Sequence, residues 1–117
     1  MAFFPANNKQ YGLNIPSLSL TTNYADGNAY ARGVSQSLEI DASNYKSLAI
    51  DSSQIISDQV VASIVADSST TLYSKRGNAT DTNLDFDITA YSTIVFNISA
   101  ARYCPDGSAT FTNIVFS

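Results

Sequence analysis

Few residues in this 117-residue chain are of the kinds that do covalent chemistry. It has no histidine and one cysteine, Cys104. Neither a serine–histidine nor a cysteine–histidine nucleophile can therefore be assembled, and histidine-ligated or multi-cysteine zinc sites are excluded. Cys104 reads as a packing residue, with only Arg102 close by to activate it. Asp85 and Asp87 stand two apart in the alternating segment Leu84-Asp-Phe-Asp-Ile88. Glycoside hydrolysis needs two carboxyls facing each other across a cleft, about 5–5.5 or 6.5–9.5 Å apart. Two on one side of a single strand instead solubilise it or guard a sheet edge. Asp81, Asp85 and Asp106 lack EF-hand spacing, and neither a P-loop nor a glycine-rich dinucleotide fingerprint occurs. No metal or other cofactor is expected, and the chain reads as non-enzymatic.

Recognition chemistry is better represented. Sugars bind where an aromatic face meets planar hydrogen-bonding groups. The candidates beside turn-forming stretches are Tyr24, Tyr30, Tyr73, Arg76, Asn78, Asp81 and Tyr103. A second aromatic group lies near the N-terminus, where Phe3, Phe4 and Tyr11 fall in a stretch without sustained periodicity, Met1 to Pro16. Aromatics in an extended arm suit assembly contacts with a neighbouring subunit.

Strands must position these groups. Leu38 and Ile40, Leu48 and Ile50, and Leu84, Phe86 and Ile88 alternate with polar or small residues, and Ile94, Phe96 and Ile98 alternate with Val95, Asn97 and Ser99. Such a period of two is that of a sheet with one buried face. Gln59 to Ala66 is apolar on both sides and rich in β-branched residues, as befits a central strand. Ser17 to Leu20 and Thr71 to Tyr73 read as short strands, and Lys75 to Asp81 as the longest polar loop. In the last strand Ala109 and Phe111 share a face, then Ile114 and Phe116, so a β-bulge is expected at Thr112-Asn113. No internal repeat is evident. The fold class is all-β: an antiparallel β-sandwich of jelly-roll type with seven or eight strands. An extended N-terminal arm spans residues 1–16 and a single sandwich domain residues 17–117.

Three segments resemble galactose-binding-like jelly rolls, particularly the NPCBM-related carbohydrate-binding modules. They are Tyr45-Lys-Ser-Leu48, Ser63-Ile-Val-Ala-Asp67 followed by Leu72-Tyr73, and Leu84-Asp-Phe-Asp-Ile-Thr-Ala-Tyr-Ser-Thr-Ile-Val-Phe96. The resemblance implies the jelly-roll fold and a carbohydrate ligand. The chain departs from it in having no tryptophan and in placing Ala90 at a corner often occupied by glycine.

Composition narrows the setting. Charged residues make up 14% of the chain, against about 25% in typical soluble domains. Ser, Thr and Asn supply roughly a third of it, as in secreted, cell-surface and virion β-proteins. The net charge is −4 and the six basic residues are scattered, which excludes phosphate-neutralising nucleic-acid binding and disfavours anionic membranes. Met1-Ala-Phe-Phe-Pro5 has no signal-peptide character. The expected setting is therefore a bacteriophage virion assembled in the host cytoplasm. There the chain would be a structural protein (capsid decoration, head fibre or tail-attached module) docked on other virion proteins through its arm. It would form a homo-oligomer and present a glycan-binding surface to the host, since weak sites gain from multivalency. The alternative is a carbohydrate-binding module of a secreted bacterial enzyme.

Overall fold

A computed structural model describes residues 12–23, 36–57, 59–100 and 106–117. These form eight strands: β1 (Leu13–Asn23), β2 (Gln36–Asp41), β3 (Ser47–Ile56), β4 (Val60–Ala66), β5 (Thr70–Arg76), β6 (Ala79–Asp87), β7 (Thr93–Ala100) and β8 (Asp106–Phe116). One sheet has the order β1-β8-β3-β6 and the other β2-β7-β4-β5, with every ladder antiparallel. No helix occurs among the described residues. The expected jelly-roll sandwich is the fold observed.

Apolar residues at alternate positions meet between the sheets. Leu48, Ile50 and Ile55 of β3, Val60 and Ile64 of β4, Ile94, Phe96 and Ile98 of β7, and Phe111, Ile114 and Phe116 of β8 are all buried. Phe96 packs edge-on against Phe111 and Phe116, with ring centroids 5.2 and 6.4 Å apart.

Several elements differ from the sequence reading. β1 starts at Leu13, so Leu13 to Pro16, expected in the arm, pair with β8. Pro16 is tolerated there because β1 is an edge strand, where a missing N–H need not break a ladder. The stretch Lys75 to Asp81 is not a loop: β5 runs to Arg76, Gly77-Asn78 makes the turn, and β6 begins at Ala79. Its polar residues belong to two edge strands, whose outward positions face water.

The phase slip at Thr112-Asn113 is real but is not a bulge. Asn113 lies opposite Pro16 on one side and Asp51 on the other, and Asp51 lies opposite Asn83, with one-to-one register above and below this row. Inward positions accordingly jump by three in every strand of the sheet. The pairs are Ile15 and Leu18, Ile50 and Ser53, Asp81 and Leu84, and Phe111 and Ile114. Asn83 and Asn113 take left-handed backbone angles, φ 56° and 55°, a region Asn tolerates better than most residues.

A repeat missed in the sequence becomes plain once the strands are aligned. Leu38-Glu-Ile-Asp-Ala-Ser-Asn-Tyr-Lys-Ser-Leu-Ala-Ile50 and Leu84-Asp-Phe-Asp-Ile-Thr-Ala-Tyr-Ser-Thr-Ile-Val-Phe96 each carry the chain from one sheet to the other. Asp41 Oδ1 accepts the Ser43 N–H (3.0 Å) and hydroxyl (2.7 Å), as Asp87 Oδ1 does from Thr89 at the same distances. The Ala42 N–H donates to Ser92 O at 2.8 Å, and the Ile88 N–H to Lys46 O at 2.9 Å. Exchanging β1–β4 for β5–β8 converts one sheet's order into the other's. The two halves are thus related by a pseudo-two-fold.

Candidate functional site

Of the ligand-binding candidates, the structure brings Tyr73 and Asp81 together, but facing each other. The Tyr73 hydroxyl, on β5, donates to Asp81 Oδ2, on β6, at 2.8 Å and lies 3.2 Å from Ser53 Oγ of β3. Lys75 Nζ is 3.7 Å from the same carboxylate oxygen. Ser53 is the one buried polar residue among those described. Burial pushes the Tyr73 phenol up to about 12, and the Asp81 carboxylate acts in the same direction. This cluster bridges the two sheets along their open edge, and the Tyr73 hydroxyl and Asp81 Oδ2 are engaged in doing so. Asn78 is likewise engaged, accepting the Ser57 N–H at 2.8 Å, while Arg76 is exposed at the end of β5. Tyr24, Tyr30 and Tyr103, and the assembly candidates Phe3, Phe4 and Tyr11, lie outside the described residues.

The outer face of β3 and β6 offers a different constellation. A groove of about 430 Å³ is lined by Lys46, Ser47, Asp85, Phe86, Asp87 and Thr89. Asp85 and Asp87 are exposed because Phe86 and Ile88 take the inward positions between and after them. Asp87 is fixed by its turn: the Thr89 N–H and then the Thr89 hydroxyl hold its carboxyl below the usual carboxylate range. One oxygen, Oδ2, is left over. Neither the Lys46 ammonium nor the Asp85 carboxylate has a partner among the described residues. The groove therefore presents a donor cation and acceptor carboxylates side by side; among the described residues Lys46 and Asp85 have no partner, and Asp87 keeps Oδ2 while its Oδ1 holds the turn.

In the sequence Asp85 and Asp87 stand out as a solvent-facing pair, and nothing there marks Lys46 or Thr89. The signal that could have found Lys46 is the internal repeat. Asp41 and Ser43 duplicate the turn made by Asp87 and Thr89, whereas Lys46 has Ser92 as its counterpart. A residue that the fold needs recurs in both halves; one that it does not need is free to differ. Among the described residues no three Asp, Glu or Cys side chains converge as a metal site would require.

No protein-family model matches the chain, and no curated protein is similar to it in sequence. Solved structures do match in fold. The periplasmic inhibitor of g-type lysozyme from Aeromonas hydrophila superposes with a TM-score of 0.55 at 8% identity, over 92% of this chain and 90% of that one. The CBM51 module from Clostridium perfringens GH95, solved with methyl-galactose, gives a TM-score of 0.48 at 10% identity, over 85% and 80% of the two chains. A CBM4 module gives 0.46 at 12% identity, over 95% and 99%. At such identities the likeness is one of fold.

Proposed function

We propose that the chain is a non-catalytic carbohydrate-binding β-sandwich whose ligand lies in the groove between β3 and β6. The observation that carries this reading is the Lys46 ammonium beside the Asp85 carboxylate, both without a partner among the described residues, with Asp87 Oδ2 and the Thr89 hydroxyl next to them. A bare cation would meet Lys46, and an anion would meet two carboxylates. A polyhydroxylated neutral ligand uses both kinds of group, since each hydroxyl donates and accepts. The groove's volume falls within the range of about 300–1,000 Å³ usual for small-ligand sites. Asp85 and Asp87 share one side of one strand, so they are not opposed across a bond to be cleaved. An open groove of this kind supports modest affinity, with Kd on the order of micromolar to millimolar.

The test is a printed glycan array probed with the wild-type protein and with Asp85→Ala. Signal on neutral glycans that disappears in the variant supports the reading. Silence across the array, or equal signal from both proteins, overturns it. A virion is one setting for such a module and a secreted bacterial enzyme the other. The aromatics Phe3, Phe4 and Tyr11 favour docking on a larger assembly. Removing residues 1–11 should then lower the oligomeric state seen by sedimentation while leaving glycan binding unchanged.

A further inference from the structure

We infer that the ligand is an oligosaccharide lying along β6 across two adjoining subsites that share Asp85; this deepens the carbohydrate-binding reading and rests on it. A second depression, of about 180 Å³, is lined by Ala49, Ile50, Asp51, Asn83, Leu84 and Asp85. It continues the first groove along the strand, because Asp85 borders both. From Asp87 to Asn83 the strand rises by about 13 Å at roughly 3.3 Å per residue, which suits a short chain of sugar rings better than one ring.

The second subsite is built by the row at which all four strands change phase. Asn14 Nδ2 donates to Asn113 Oδ1 at 3.2 Å, and Asn113 Nδ2 donates to Asp51 Oδ2 at 2.9 Å. This chain of amides crosses the sheet and orients the Asp51 carboxylate, leaving Oδ1 available. Beside it the Asn83 amide has no partner among the described residues. A planar amide and a fixed carboxylate offer donors and acceptors to neighbouring hydroxyls, at little ordering cost on binding.

The pseudo-symmetric face supplies an internal comparison. At the positions equivalent to Lys46, Ala49, Asp51, Asn83 and Asp85 the other sheet has Ser92, Val95, Asn97, Ser37 and Glu39. The apolar and turn-forming positions match between the halves, as the shared fold requires. Of the groove-lining positions, Lys46, Ala49, Asp51 and Asn83 have unlike counterparts, whereas Asp85 keeps a carboxylate in Glu39 and the turn pair Asp87 and Thr89 recurs as Asp41 and Ser43. Ala49, opposite Asp85 in the ladder, leaves open the space that its counterpart Val95 would fill.

The test is isothermal titration with cello-, xylo-, galacto- and chito-oligosaccharides of one to six residues. For the series that binds, affinity should rise about tenfold or more between one and three residues and then level off. Asn83→Gly keeps the left-handed backbone that position requires, and Ala49→Val copies the other sheet. Both should reduce trisaccharide binding to the level of the monosaccharide while leaving monosaccharide binding unchanged. Asp85→Ala should remove both, with thermal unfolding confirming that each variant is folded. Monosaccharide binding with no gain on lengthening overturns the two-subsite inference alone. So does an equal loss for monosaccharide and trisaccharide in Asn83→Gly. Failure of every sugar to bind the wild type overturns the inference together with the carbohydrate-binding reading.

Discussion

Tyr73 shows how a single residue's role depends on which side of its strand it leaves. From the sequence Tyr73 and Asp81 are loop-side ligand candidates. In the structure both point inward, where Tyr73 donates to Asp81 and reaches the buried Ser53. Alternation alone cannot separate an inward polar residue from an outward one when its partner comes from a different strand. The phenol is favoured in its neutral form, so its folded value of about 12 lies above the ordinary 10. Its contribution to stability is then fully present below pH 10 and is lost as pH rises from 10 through 12. Urea midpoints should fall across that window in the wild type, and Tyr73→Phe should flatten the decline. The same variant leaves the Ser53 hydroxyl without Tyr73, which should cost about 1–3 kcal/mol at neutral pH. Identical alkaline profiles for the two proteins would refute this role.

Among the elements, the two crossovers are the most informative. The alternating strands on either side of them are legible in the sequence, because Leu38, Ile40, Leu48 and Ile50 mark an inward face as clearly as Leu84, Phe86, Ile94 and Phe96 do. Their kinship is not, since it depends on a Ser replacing a Thr, an Ala replacing an Ile, and a shared hydrogen-bond pattern. The phase-slip row is half legible: Thr112-Asn113 breaks alternation visibly, but Asp51 and Asn83 join the row only through register. One difference between the crossovers is instructive. The Lys46 and Ser47 N–H groups donate to Ser117 O, whereas the equivalent Ser92 and Thr93 N–H groups donate to the Asp67 carboxylate, at 2.8 and 3.0 Å. Asp67 is held below the usual carboxylate range by the Thr93 and Ser92 N–H groups, as Asp41 and Asp87 are by their own turns. A depressed value stabilises the fold above the ordinary carboxylate range near 4, and that stability is lost as pH falls through the lower folded value. Asp67→Asn keeps a residue suited to its φ of 52° but removes the charge. Its unfolding midpoint should therefore fall at pH 7, and its acid-side decline should be shallower than that of the wild type. An unchanged acid profile would show that this crossover does not depend on the charge.

For the molecule as a whole, the decisive fact is that the two sheets meet through a few large side chains. That the chain makes two apolar-faced layers follows from its alternation. Which strands neighbour which does not, because long-range pairing leaves little trace in local patterning. Phe96 of β7 touches Phe111 and Phe116 of β8, so each ring belongs to a different sheet from its partner. Removing it opens a cavity between layers that have no other way to close over it, since neighbouring Ile94, Ile98 and Ile114 are already fully buried. Phe96→Ala should cost about 3–5 kcal/mol, a large share of the roughly 5–15 kcal/mol that holds a typical domain folded. Phe96→Leu keeps most of the volume and should cost less. Because both sheets lose the same contact, circular dichroism and tyrosine fluorescence should report one coincident transition in the wild type and in both variants. Separate transitions for the two probes would mean that the layers unfold independently, and a small penalty for Phe96→Ala would mean that this aromatic cluster does not hold them together.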